Sequence, residues 1–141
     1  MVKLKGPTKL DPNSKRALQI LGFLFLRMGQ FARARRLFAA LSVIDPEDIQ
    51  VRQSLAYACV QMNDPEGAMH ALSGMVIEDD HSPIQASMHL LLAKTHMLLG
   101  EEKAAQESMA AFWKAASQAQ KSWISLQPPA PSSLEQRNIA T

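Results

Sequence analysis

Apolar residues along this chain come in blocks with helical spacing, separated by short polar breaks. From Lys15 onward, Leu18, Leu21, Phe25 and Met28 return every three or four residues, which places them along one side of a helix. The tripeptide MGQ breaks that period at Gly29. A second helix is predicted with Phe31, Ala34, Phe38 and Leu41 on one face, stopped at IDPED because Pro46 cannot continue the ladder and disfavours α geometry in Asp45. A second pair is expected from about Pro46 to Gln61 and from about Pro65 to Ile77, joined at MND. After a polar loop, EDDHSP, a third pair covers about Ile84 to Leu99 and Glu101 to Ser117, turning at Gly100. A last short helix is expected through QAQKSWISL. Residues 1–14 have no helical period and form an extended lead-in, with Asn13 or Ser14 capping the first helix. Residues 127–141, with three Pro in four positions, are expected to be a disordered tail.

The window FARARRLFAALSVID returns, altered, as PEGAMHALSGMVIED 34 residues later: Ala34 falls on Ala68, Phe38 on Leu72, Leu41 on Met75 and Asp45 on Asp79. Helix–turn–helix units at a period of 34 are the signature of the tetratricopeptide repeat. Counted from Lys15, the first unit has Leu18 at position 4, Leu21-Gly22 at 7 and 8, Phe25 at 11, Gly29 at 15, Ala34 at 20, Phe38 at 24 and Pro46 at 32. The second, from Ile49, has Leu55-Ala56, Cys59, Ala68, Leu72 and Met75 at positions 7, 8, 11, 20, 24 and 27, with Asn63 in place of the turn glycine. The third, from Ala86, needs a slip of three residues and then has Leu92-Ala93, Gly100, Ala105, Met109 and Phe112 in register. The predicted fold is all-α: three tetratricopeptide helix–turn–helix repeats (about 15–48, 49–82 and 86–119) in a short right-handed superhelix, with a C-terminal capping helix to about residue 126.

The first helix of each unit lines the concave side of such a stack, through positions 2, 5, 9, 12 and 13. These are Arg16, Gln19, Phe23, Leu26 and Arg27 in the first unit, then Gln50, Gln53, Tyr57, Val60 and Gln61 in the second. The third unit supplies Ser87, Leu90, Lys94, Met97 and Leu98. Repeat packing does not require these positions to be apolar, so an apolar strip rimmed by Gln, Arg and Lys is read as a partner-binding groove. Alternatively, QKSWISL folds back and makes the strip ordinary core. A clamp for a peptide carboxylate would need Lys and Asn at positions 5, 6 and 9. The chain has Gln19, Ile20 and Phe23, then Gln53, Ser54 and Tyr57, so a peptide with apolar anchors fits better.

The composition supports a packed helical domain, 47% hydrophobic with the strong helix formers dominant. A net charge of +2 is too balanced for a nucleic-acid face, although basic residues gather early and an acidic partner at that end is a minority reading. One cysteine, no signal-like leader and no run of about 18 apolar residues point to a reducing, cytoplasmic setting without membrane insertion. Cys59 stands at a packing position, and His70, His81, His89 and His96 lack ligand spacing. With no phosphate loop and no nucleophile–base–acid spacing, neither an enzyme nor a metal or other cofactor is expected.

The span from LGFLFLRMGQFARARRLFAALSVIDPED through LAYACVQMND to LLLAKTHMLLGEEKAAQ resembles the small tetratricopeptide chaperones of bacterial type III secretion. The resemblance covers Ala17 to about Gln120. The short segment before the first repeat leans toward the Y-type export chaperone, while the wording FAALSVIDPED…LAYACVQM looks equally like the translocator-chaperone branch. Either branch implies a bacterial cytoplasmic, non-enzymatic protein that sheaths a segment of a secreted substrate in its groove and delivers it to the export gate. It leaves a homodimer open. The rival expectation is a tetratricopeptide scaffold joining folded partners in a secretion, envelope or pilus assembly.

Overall fold

The computed structural model describes residues 10–75 and 83–126. Among them the chain forms six helices: α1 (Pro12–Arg27), α2 (Phe31–Ile44), α3 (Ile49–Gln61), α4 (Pro65–Leu72), α5 (Pro83–Leu99) and α6 (Glu102–Leu126). Successive helices pack as antiparallel pairs, and the first helices α1, α3 and α5 also lie beside one another. This is a helical-repeat superhelix. The lead-in up to residue 9, the loop over 76–82 and the tail from 127 fall outside the described residues.

Helix starts are set by aspartates. Asp11 accepts from the Ser14 backbone N–H at 3.3 Å, Asp48 from Val51 at 3.2 Å and Asp64 from Gly67 at 3.0 Å, each satisfying a donor that the first turn leaves unpaired. The first helix therefore begins before the expected Asn13 or Ser14, at Pro12, whose fixed φ suits that position. The third begins at Ile49 rather than Pro46, because residues 45–48 close a turn before Asp48 caps.

The turns inside the three pairs are the same turn. Gly29, Asn63 and Gly100 all have left-handed φ, at 72°, 57° and 75°. Around each, one N–H bonds back three residues and the next bonds back five: Gly29 to Leu26 and Gln30 to Phe25; Asn63 to Val60 and Asp64 to Cys59; Gly100 to Met97 and Glu101 to His96. That is a Schellman ending repeated at intervals of 34 and then 37 residues. The weak feature of the second unit in sequence, Asn63 for Gly, is no defect in the backbone, because Asn tolerates this region better than other residues with a side chain.

The small positions are where helices touch. Gly22, Ala56 and Ala93 are buried at position 8, and Ala34, Ala68 and Ala105 at position 20. A Cβ on Gly22 would lie 2.5 Å from Phe38 Cζ, so the ring of Phe38 occupies the space that a side chain would take. One buried cluster joins Ala34, Phe38 and Leu41 of α2 to Val51 and Ala58 of α3; a second joins Ala56 and Cys59 to Ala68, Ala71 and Leu72 of α4 and Leu91 of α5. Leu55 packs against both and makes the core continuous.

Two elements differ from their sequence expectation. α4 ends at Leu72 rather than near Ile77, because Ser73 leaves helical geometry and Gly74 turns left-handed at φ 69°. The Arg52 guanidinium then takes the freed carbonyls of Ala71 and Ser73. Met75 thus packs on the second cluster from beyond the helix. At the other end, α6 runs unbroken to Leu126, so the segment expected as a separate cap is the far part of α6, and α6 packs on α5 and no other described helix.

Candidate functional site

The concave side is held open by polar links between successive repeats. Lys15 Nζ sits 2.6 Å from Asp45 Oδ2 and 2.7 Å from Asp48 Oδ2, and Gln19 Nε2 donates to Asp48 Oδ2 at 3.0 Å. These bonds fasten α1 to the start of α3. The next repeat repeats the device. Gln53, 34 residues after Gln19, donates to the Ile84 carbonyl at 2.9 Å, and its Oε1 accepts from Ser87 Oγ at 3.4 Å, fastening α3 to the start of α5. Position-5 glutamines therefore set the spacing of the groove walls.

Charge follows from these contacts. Burial pushes the Asp48 carboxyl up, but the Lys15 ammonium, the Val51 N–H and the Gln19 amide together outweigh it and hold the group below its ordinary value of 3.8. The hydrogen bond to Asp45, and then that to Asp48, lifts Lys15 above its ordinary 10.5. Burial, reinforced by the nearby Asp64 charge, pushes the Cys59 thiol up, which is the reverse of what a nucleophile needs.

Between these links lies a cleft of about 260 Å³, lined by Leu26 of α1, by Gln53, Ser54 and Tyr57 of α3, and by Ser87, Leu90, Leu91 and Lys94 of α5. Its floor is mostly aliphatic and aromatic. Serine hydroxyls, one amide and the Lys94 ammonium form the polar part. Phe31 meets the Tyr57 ring edge-on, with centroids 6.4 Å apart, and so helps fix its orientation. Such a lining suits apolar side chains of a partner together with hydrogen bonds to its backbone.

Of the positions expected in the groove, Leu26, Gln53, Tyr57, Ser87, Leu90 and Lys94 come together here. The others go elsewhere. Gln19 is half-buried in the α1–α3 link, and Phe23 lies against the ring of Phe38 at 5.5 Å. Val60 packs on the second core cluster, while Arg16, Arg27 and Gln61 are exposed. Met97 lines a separate cleft of about 500 Å³ at the α5–α6 turn, with Gly100, Glu102, Ala105, Gln106 and Met109. That larger cleft is lined by one helix pair, α5 and α6 with their turn, whereas all three first helices contribute to the smaller one. Ser54 and Leu91 were missed by the position rule. Both stand at position 6, one residue from the expected face, and the shared position was the signal available.

Among the described residues no three His, Cys, Asp or Glu side chains gather as a metal ion would require, and no helix is long and apolar enough to cross a membrane. No curated protein matches the chain. The tetratricopeptide repeat family matches residues 25–88, from the last turn of α1 to the first turns of α5. The matching segment holds two of the three equivalent turns, and the third closes α5 onto α6 in the same way, so the described residues form a helical-repeat stack of the tetratricopeptide type.

Proposed function

We propose that this protein is a non-enzymatic binder that takes a polypeptide segment with apolar anchors into the cleft between α1, α3 and α5. The observation that carries the reading is the convergence of Leu26, Tyr57 and Leu90, one from each first helix, on one open and largely apolar cleft. Covering that surface stabilises a complex by roughly 25 cal/mol per Å² before ordering costs, and the glutamine links pre-form the walls so that less of the gain is lost on binding.

The finer reading rests on the sequence resemblance to type III secretion chaperones. The client is then a secreted substrate that is prone to associate before export, held soluble in the bacterial cytoplasm and handed to the export apparatus. Coexpression of the tagged chain with its genomic neighbours, followed by purification and mass spectrometry, tests it. The expected result is one secreted protein at near equal stoichiometry, retained by the wild type and lost from Tyr57→Glu and Leu90→Glu variants whose circular dichroism is unchanged. Retention of a folded partner by both variants would move the assignment to a scaffold that uses other surfaces.

A further inference from the structure

α1 has two apolar faces, and the fold uses one. Leu18, Gly22, Phe25 and Leu26 turn inward. On the other side Ile20, Leu21, Leu24 and Met28 are 61%, 40%, 50% and 59% exposed. Their spacing gives at least one residue per turn from Ile20 to the Met28 cap, a continuous ridge over the C-terminal half of the helix rather than scattered surface residues.

The repeat itself shows what such a face receives. Thirty-four residues on, the equivalent positions in α3 are Ser54, Leu55, Ala58 and Met62. There Ser54 and Ala58 are buried and the other two half-buried, and the cluster that covers Ala58 is built from α2, the helix before it. Among the described residues no helix precedes α1, so the same face is left uncovered there, and it carries larger apolar residues where α3 has Ser and Ala. A repeat face left to water is ordinarily polar. This one is not.

Charge narrows the occupant. α1 contains no acidic residue. Its Lys15 is committed to Asp45 and Asp48, whereas Arg16 and Arg27 are exposed and make no ion pair among the described residues. At 100° per residue both arginines fall on the edge of the ridge next to Ile20. A second copy packed antiparallel about a two-fold axis would set this edge against itself, arginine facing arginine. A parallel copy would set it against the edge where α2 already packs. Residues 1–9 carry Lys3, Lys5 and Lys9 and no acid, so their charge is also of the wrong sign.

We propose that the outer face of α1 docks an amphipathic helix of a different protein, its apolar seam on Ile20, Leu21, Leu24 and Met28 and its acidic flank on Arg16 and Arg27. This surface is independent of the cleft between α1, α3 and α5.

Two labelled synthetic helices of three heptads test it, identical in their Leu/Ile seam but flanked by Glu in one and Lys in the other, titrated with the full chain and read by fluorescence anisotropy. The Glu peptide should bind roughly five- to tenfold tighter, as two exposed ion pairs would give, with the preference shrinking as salt rises. Leu24→Glu should abolish binding of the Glu peptide, the Arg16→Glu/Arg27→Glu double variant should reverse the preference, and Tyr57→Glu should leave it intact. Equal affinity for the two peptides, or no binding of the Glu peptide, would overturn the proposal. So would loss of binding in Tyr57→Glu with retention in Leu24→Glu, which would place the peptide in the cleft. A dimer seen by light scattering and abolished by Leu24→Glu would assign the face to a second copy instead.

Discussion

At the scale of single residues, the repeats differ by compensating changes in size. Position 8 meets position 24, and the first repeat pairs Gly22 with Phe38 where the second pairs Ala56 with Leu72. Adding a methyl to Gly22 drives it into a fully buried ring, so Gly22→Ala should destabilise by about 1–3 kcal/mol despite the better helix propensity of Ala. Installing the pair of the second repeat, Gly22→Ala with Phe38→Leu, should recover much of that loss. Urea unfolding of the two single variants and the double variant gives the coupling, and simple additivity would show that the ring and the glycine do not share that space. Cys59 supports a second expectation. Buried, with its thiol raised, it should react with a disulfide reagent only at the rate of global or local opening, and rapid reaction in native buffer would contradict its place in the core. Both positions were legible in the sequence, since a small residue at position 8 and a cysteine at position 11 are packing signals. The matched sizes of facing residues needed coordinates.

Helix ends are decided by caps and helix faces by periodicity, and the two differ in legibility. The 34-residue period located every pair and even the three-residue slip. It could not see that Asp11, Asp48 and Ser73-Gly74 would move three helix boundaries, because capping is a local contest among neighbouring candidates. Asp48 is the cap with most consequence, since it also receives Lys15 and Gln19. Its carboxyl is depressed in the fold. The stability it contributes is therefore fully present above the ordinary carboxylate value and disappears as pH falls through the lower, folded value. Lys15, raised in the fold, contributes fully below 10.5 and loses its contribution only as pH rises through its higher folded value. Asp48→Asn keeps a good cap and removes the charge. Its melting temperature should fall below that of the wild type at neutral pH, and the two curves should converge as the pH drops below the carboxylate range. Parallel curves would mean the ion pair contributes nothing measurable.

For the whole molecule, the legible part of the site was direction and the illegible part was depth. A position number gives the angle of a side chain around its helix, which sufficed for Leu26, Tyr57, Leu90 and Lys94. It says nothing of how a short stack curves. Phe23 was therefore drawn onto Phe38, Val60 into the core and Met97 toward the end of the array. Among the described residues the same stack leaves α6 partly unsupported. α5 has 17 residues and α6 has 25, about 25 Å against about 37 Å, and α6 touches no other described helix. Residues after about 118 thus extend past the one described helix on which α6 packs, and an isolated stretch of that length is at best marginally helical in water. Hydrogen exchange on the full chain should show the amides of 119–126 opening at least about 100-fold more readily than those of 103–115, with the strongest protection in α2 and α3. Uniform protection along α6 would mean that some part of the chain beyond α5 covers its far end. Addition of a partner that protects 119–126 without changing α3 would locate its contact on the overhang rather than in the cleft.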